Sequence, residues 1–326
     1  MVPRSCGLLI TAVVAGGSGE WHRTSNATLT DSYRRCPFMM GRYMETPSHD
    51  SNCRDDAIPM YTGKIGRAPN RSSLERLEPL AGRNRTVVFM GDSLTRQHFI
   101  ATACRLRLDH ALLRFAADFK DHESSKGAYL RSASATFGAS NATFTLRLDK
   151  DEHDVGLEAY VAARCADLRR GDVVVINEGA HYSGGAHYRH TPDTYSERVR
   201  SALRVAANCT PLVIWRETAA SHFRDGKWHG QHHCHDRTAQ QDRRVSGPDS
   251  ETYPVLNALA NAAAEENGIP ILRVYKDSLA AGALAHIGGA DCLHWCLPGV
   301  PDLWATELLS KIRGLEPATR QGRNRK

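Results

Sequence analysis

Thr86-Val87-Val88-Phe89-Met90-Gly91-Asp92-Ser93-Leu94-Thr95-Arg96-Gln97 is the stretch whose reading decides the fold. Its first five residues are β-branched or apolar with no polar alternation, which predicts a strand buried on both faces. From Ser93 to about Leu108 the chain has helical character. A serine at such a strand-to-helix turn sits on a rigid scaffold, near the positive end of a helix dipole, where an oxyanion can be stabilised. Serine is equally a good helix N-cap, so Gly-Asp-Ser alone decides little.

Outward from this turn the same alternation recurs. Residues between the first helix and Asn141 read as loop-rich, and Ala142–Leu148 alternates like a strand with one wet face. A helix is predicted over 155–168, and Gly171-Asp172 then leads into the apolar strand Val173–Asn177. Thr191-Pro192 opens a helix reaching about Ala207, with proline at an allowed first-turn position. Pro211–Trp215 reads as the next strand, Tyr253–Glu266 as a helix closed by Gly268, and Ile269–Tyr275 as a fourth core strand. The last helix begins after Pro301 and carries Leu303, Trp304, Leu308 and Leu309. Short apolar strands alternating with helices predict an α/β fold with a mostly parallel sheet covered on both faces. Ligands of such sheets bind outside the carboxyl ends of the strands, and Ser93, Asn177 and Arg216 each stand at one.

A second short stretch completes the chemistry. In Asp291-Cys292-Leu293-His294-Trp295-Cys296 a carboxylate precedes a histidine by three residues, so Asp291 can orient His294 and stabilise its charge. With Ser93 as nucleophile and His294 as base, this is the minimum set for acyl transfer through a serine ester. His229, His232, His233, Cys234, His235 and Asp236 crowd together, but their irregular spacing reads as an exposed polar loop and no metal site is expected.

Composition sets the compartment. With 326 residues and 41% hydrophobic content, one large α/β domain is the simplest reading. The net charge of +6 comes from scattered Lys and Arg, so no nucleic-acid partner is expected. The one basic run, Arg320–Lys326, reads as a disordered tail over 316–326. Nine dispersed cysteines without a zinc-ribbon pair favour disulfides. Asn-x-Ser/Thr sequons at Asn26, Asn70, Asn84, Asn141 and Asn208 point the same way. The apolar run Gly7–Ala15 after Arg4 has the length of a signal-peptide core; residues 1–18 are either that or an ordinary buried segment. No segment reaches the roughly 18 apolar residues of a membrane span. Together these place the protein in the secretory pathway, in the Golgi lumen or outside the cell. Residues 19–80, rich in Arg, Pro, Ser and Asn, are expected to wrap as an irregular arm on a catalytic domain spanning 19–315.

Gly91–Gln97 and Asp291–Trp304 resemble the two signatures of the PC-esterase (trichome birefringence-like) family, and Val213–Phe223 with Gly226, Trp228 and Cys234 is similar to a third. Gly19-Glu20-Trp21 and Cys36-Pro37-Phe38 are weaker echoes, so the likeness runs from about Gly19 to Leu309. The resemblance implies a three-layer α/β/α SGNH-hydrolase-like fold and an O-acyltransferase, chiefly O-acetyl, acting on a polysaccharide hydroxyl through acyl-Ser93. An O-acetyl esterase with the same Ser93, His294 and Asp291, or a non-catalytic glycan-binding protein, are the alternatives. No cofactor is implied beyond an acyl donor, acetyl-CoA or another acetyl ester. For the oxyanion it implies the Ser93 N–H, Asn177 and a glycine, either Gly127 or Gly138. Arg96 and Arg216 match family positions and serve either substrate binding or a supporting ion pair; Trp295 and Trp304 either stack on sugar or pack. Cys36–Cys104, Cys53–Cys296 and Cys234–Cys292 are the disulfides it implies, and Cys165 and Cys209 are left to form another. The chain departs from the pattern in lacking cysteines before Gly19 and before Thr86, and in having Ala305 where asparagine is usual.

Overall fold

The computed structural model describes residues 21–23, 33–39, 53, 59–61, 84–107, 111–121, 128–139, 142–149, 157–165, 167–169, 171–182, 192–209, 212–223, 234–235, 253–288 and 291–314. The expected leader, the basic tail, most of the arm, Gly127 and most of the histidine-rich loop lie outside them, as does the side chain of Cys165. Two short strands, β1 (Trp21–Arg23) and β2 (Pro59–Tyr61), pair with each other. The central sheet is formed by β3 (Thr86–Gly91), β4 (Ala111–Asp121), β5 (Ala128–Ala139), β6 (Ala142–Leu148), β7 (Val173–Asn177), β8 (Leu212–Arg216) and β9 (Ile271–Leu272). Their order across the sheet is β4-β5-β6-β3-β7-β8-β9. From β6 to β9 every pairing is parallel; β4-β5 and β5-β6 are antiparallel.

The helices are α1 (Ser93–Leu106), α2 (Leu157–Cys165), α3 (Pro192–Cys209), α4 (Tyr253–Glu266), α5 (Tyr275–Ala281) and α6 (Val300–Gly314). α1 packs on α6, while α2, α3 and α4 pack in succession, so the sheet lies between two helical layers. The expected α/β/α arrangement with a mostly parallel sheet is what the chain forms. β3 is apolar from Val87 to Met90 and β7 from Val173 to Ile176 because both faces are covered, and all of these residues are buried.

Two elements differ from the sequence reading. Residues 111–121 and 128–139 pair as two long antiparallel strands where loop was expected. Their register slips between Leu112 and Arg114 and again between Asp118 and Phe119, which breaks the period of two. The second strand buries alanines, Ala133 and Ala135, so the hydrophobic contrast along the strand is weak. The fourth core strand is only Ile271–Leu272, because the chain enters α5 at Tyr275.

A small hairpin, β10 (His286–Gly288) with β11 (Asp291–Trp295), stands beside the sheet. Three disulfides join described residues, Cys36–Cys104, Cys53–Cys296 and Cys234–Cys292, and Cys209 is disulfide-bonded as well. The first ties the arm to α1, and the other two hold both ends of β11. The Tyr33 hydroxyl donates to Asp302 at 2.7 Å, so the arm also reaches the first turn of α6. Among the described residues no helix is long and apolar enough to cross a membrane.

Candidate active site

The site begins where β3 ends. Gly91 has φ +144°, and a Cβ there would fall 1.9 Å from the Asn177 carbonyl oxygen, so only glycine lets β3 and β7 end side by side. Asp92 then caps α1: its carboxylate accepts from the Leu94 N–H at 2.9 Å and, through its other oxygen, from the Ala180 N–H at 3.1 Å. This fixes the elbow at both ends and leaves Ser93 as the first helical residue. By position its N–H has no intrahelical acceptor, so it is a donor at the positive end of the helix.

His294 on β11 closes the other side. Its Nε2 lies 2.7 Å from Ser93 Oγ, and its Nδ1 lies 2.9 Å from both oxygens of Asp291. A carboxylate only accepts, so Nδ1 carries the proton. The bare Nε2 then faces the serine hydroxyl, which donates to it. Asp291 is held in turn by the backbone N–H groups of Leu293 and His294. The His294 carbonyl accepts from His286 Nδ1 at 3.0 Å, so its backbone is fixed on both sides. Ser93 and His294 retain 8% and 5% of their surface, enough for a ligand to reach and little enough to exclude bulk water.

Beneath this line lies a buried polar knot. Arg216, with no exposed surface, donates to Asn177 Oδ1, to Thr95 Oγ1 at 3.3 Å and to the Glu217 carbonyl, and its guanidinium lies over the Trp304 ring at 4.9 Å. Burial pulls its pKa down to about 10, while the Asp92 carboxylate pushes it back up. It therefore stays a cation at neutral pH. His286 and His98, fully buried, are held well below the usual imidazole value, chiefly by loss of water; His222 adds to this for His286 and Arg216 for His98.

Residues 186–312, which include Asp291 and His294, match the PC-Esterase family, described as a GDSL/SGNH-like Acyl-Esterase family found in Pmr5 and Cas1p. The match covers the part of the chain that carries β8, β11 and most of α6. Protein trichome birefringence of Arabidopsis thaliana is 25% identical over 365 residues, covering 90% of this chain and 59% of that protein. Xyloglucan O-acetyltransferase 1 of the same plant is 24% identical over 271 residues, covering 71% of this chain and 65% of it. The chain thus spans less than two thirds of the length of either relative. The crystal structure of Est24, a carbohydrate acetylesterase from Sinorhizobium meliloti, matches 71% of this chain and all of its own at 14% identity, with a TM-score of 0.40.

Several residues expected at the site stand elsewhere or serve otherwise. Asn177 lies at the end of β7 as expected, but both its amide hydrogens are engaged, with the Arg216 carbonyl at 3.0 Å and Thr218 Oγ1 at 3.1 Å. It braces two strand ends and has no hydrogen left for an oxyanion. Gly138 pairs with Thr143 near the start of β6, at the end of the sheet opposite Ser93, so it is no oxyanion donor either. Arg216 and Trp295 are wholly buried and present nothing to a substrate; Trp295 packs on His286 at 3.8 Å between ring centres, and Trp304 is buried beside it. Arg96, half-buried on α1 one turn from Asp92, is the expected binding residue that keeps surface. Gln97 and His286 were not singled out by sequence, although both contact the strand that carries the base. An amide inside a helix and a histidine eight residues before another carry no chemical signal of their own.

Proposed function

We propose that this protein is an O-acyltransferase that moves an acetyl group onto a polysaccharide hydroxyl through an acyl-Ser93 intermediate. The observation that carries the reading is the unbroken line Ser93 Oγ, His294 Nε2, His294 Nδ1, Asp291, with each contact within 2.9 Å. In the first half-reaction Ser93 Oγ bonds to the acyl carbon of the donor ester while His294 Nε2 takes the hydroxyl proton. The tetrahedral oxyanion is met by the Ser93 N–H at the head of α1. Collapse breaks the bond to the donor's leaving group, which leaves with the proton from His294. In the second, His294 takes the proton of an acceptor hydroxyl as that oxygen attacks the acyl carbon, and the proton returns to Ser93 as its ester bond breaks. Asp291 keeps the imidazole in the competent tautomer throughout and stabilises the imidazolium. We assign Arg96, half-buried on α1 three residues after Ser93, to the binding of a polar acceptor.

Relatives named for xyloglucan O-acetylation support a polysaccharide acceptor, and the disulfides support an oxidising, lumenal or extracellular compartment, the Golgi included. Hydrolysis is the same chemistry with water as acceptor. The test is to incubate the protein with an activated acetyl ester, with and without xyloglucan and other oligosaccharides. Acetylated sugar is the expected product; free acetate alone makes it an esterase, and no turnover under either condition overturns the reading.

A further inference from the structure

We propose that Gln97 is the positioning residue that sets His294 against Ser93, by acting as a one-residue strand along the open edge of β11. This rests on the acyl-serine reading above. The Gln97 side chain is fully buried, its Nε2 donates to the Trp295 carbonyl at 2.7 Å and its Oε1 accepts from the Trp295 N–H at 3.1 Å. A carboxamide that meets the N–H and C=O of a single residue in this way reproduces what a neighbouring antiparallel strand would offer.

The edge needs such a partner. β10 pairs with β11 through His286 opposite Trp295, but the backbone bond there runs from the Cys296 N–H to the Ala285 carbonyl. The polar groups of Trp295 point the other way, into the protein, where an unmet pair would be costly. Gln97 meets both of them.

The geometry makes this more than satisfaction of buried groups. Gln97 follows Ser93 by four residues on α1, so both side chains leave the same face of the helix one turn apart. Trp295 follows His294 directly on β11. Helix and strand are therefore joined by two rungs, Ser93 to His294 and Gln97 to Trp295. A single rung sets the separation of helix and strand but not their rotation about it. Two rungs fix both the separation and the rotation of the imidazole relative to the hydroxyl, which is what proton transfer during attack requires. The disulfides at Cys292 and Cys296 tie β11 to other segments, not to the helix of the nucleophile.

Ser93 reactivity with a fluorophosphonate probe reads this arrangement without needing the natural substrate. Labelling of the wild-type protein and its loss in Ser93→Ala test the acyl-serine reading; an unlabelled wild type defeats that reading. Given labelling, Gln97→Met, close in size but unable to make either bond, is expected to label about 100-fold more slowly, as for a misplacement of about 1 Å, at a temperature where it remains folded. Equal labelling of the folded variant overturns the role of Gln97 and leaves the serine reading standing. Gln97→Glu decides the matter even where the methionine variant does not fold. A protonated carboxyl presents one donor and one acceptor as the amide does, and burial favours that protonated form. Its labelling rate relative to wild type is expected to recover as pH falls and to collapse as the carboxyl ionises. A ratio that stays flat across that range overturns the proposal.

Discussion

Removing the Cys234–Cys292 bridge separates what this disulfide does for stability from what it does for the site. The double variant Cys234→Ala/Cys292→Ala releases a crosslink spanning 58 residues of sequence. The chain-entropy expression gives a loss of about 14 cal/mol/K for a loop of that length, or about 4 kcal/mol at 25 °C. Unfolding entropy near 2.1 cal/mol/K per residue over the whole chain makes this a fall of about 6 °C in the melting midpoint. The active site is shielded from that loss by other ties. The same strand remains fixed by the Gln97 bonds, by the Cys53–Cys296 bridge, and by the His222 N–H, which donates to the Cys292 carbonyl at 2.9 Å. His294 should therefore still face Ser93 at 25 °C, and only the temperature range should shrink. Thermal unfolding followed by circular dichroism, with Ser93 labelling at 25 °C, measures both. A midpoint that does not move would refute the loop-entropy estimate. A folded variant that no longer labels would refute the claim that β11 is held at several independent points.

Acid should destabilise the protein before its carboxylates titrate. His98 and His286 have native values below the unfolded value near 6.5, so below that pH the unfolded chain binds protons that the native state refuses. Stability is complete above about pH 6.5 and falls beneath it by up to about 2.7 kcal/mol per pH unit for the two together. Asp302, whose carboxyl burial pushes up, acts in the opposite sense at the acid end. A melting midpoint that is unchanged or rises from pH 7.5 to 5.5 would contradict this, and His98→Phe should make the decline shallower. Replacing Arg216 with methionine leaves Thr95 Oγ1 without its donor, Asn177 Oδ1 with only the Thr95 hydroxyl at 3.4 Å, and Asp92 without its nearby cation. Loss of one partner from such a buried set costs about 3–5 kcal/mol, measurable by urea unfolding, and a loss under about 1 kcal/mol would make the knot beneath the site dispensable.

The elements that were legible in the sequence are those whose signal is local. β3, β7 and β8 each hold an unbroken apolar run, Val87–Met90, Val173–Ile176 and Leu212–Trp215, of the kind that a strand covered on both faces needs. The Ser93 elbow and the Asp291–His294 spacing were legible for the same reason, since each is complete within a few residues. What escaped depends on distant partners. The paired strands 111–121 and 128–139 hide their period behind two register slips and buried alanines. Asn177 was placed at the right strand end, but its two amide hydrogens are committed to Arg216 and Thr218, some forty residues away, and no local pattern shows that. Trp295 is an aromatic in a loop-like motif by sequence and a wholly buried ring in the fold. Gln97 takes its meaning entirely from Trp295, 198 residues downstream.

Mass spectrometry of the peptide that carries Ser93, after brief exposure of the protein to an activated acetyl ester, bears most directly on the account. One acetyl group should be found on Ser93 in the wild-type protein and none in His294→Ala, with acceptor sugar shortening the lifetime of the adduct. Steady acetyl transfer or acetate release by a Ser93→Ala protein, or turnover with the acetyl group trapped on another residue, would contradict it.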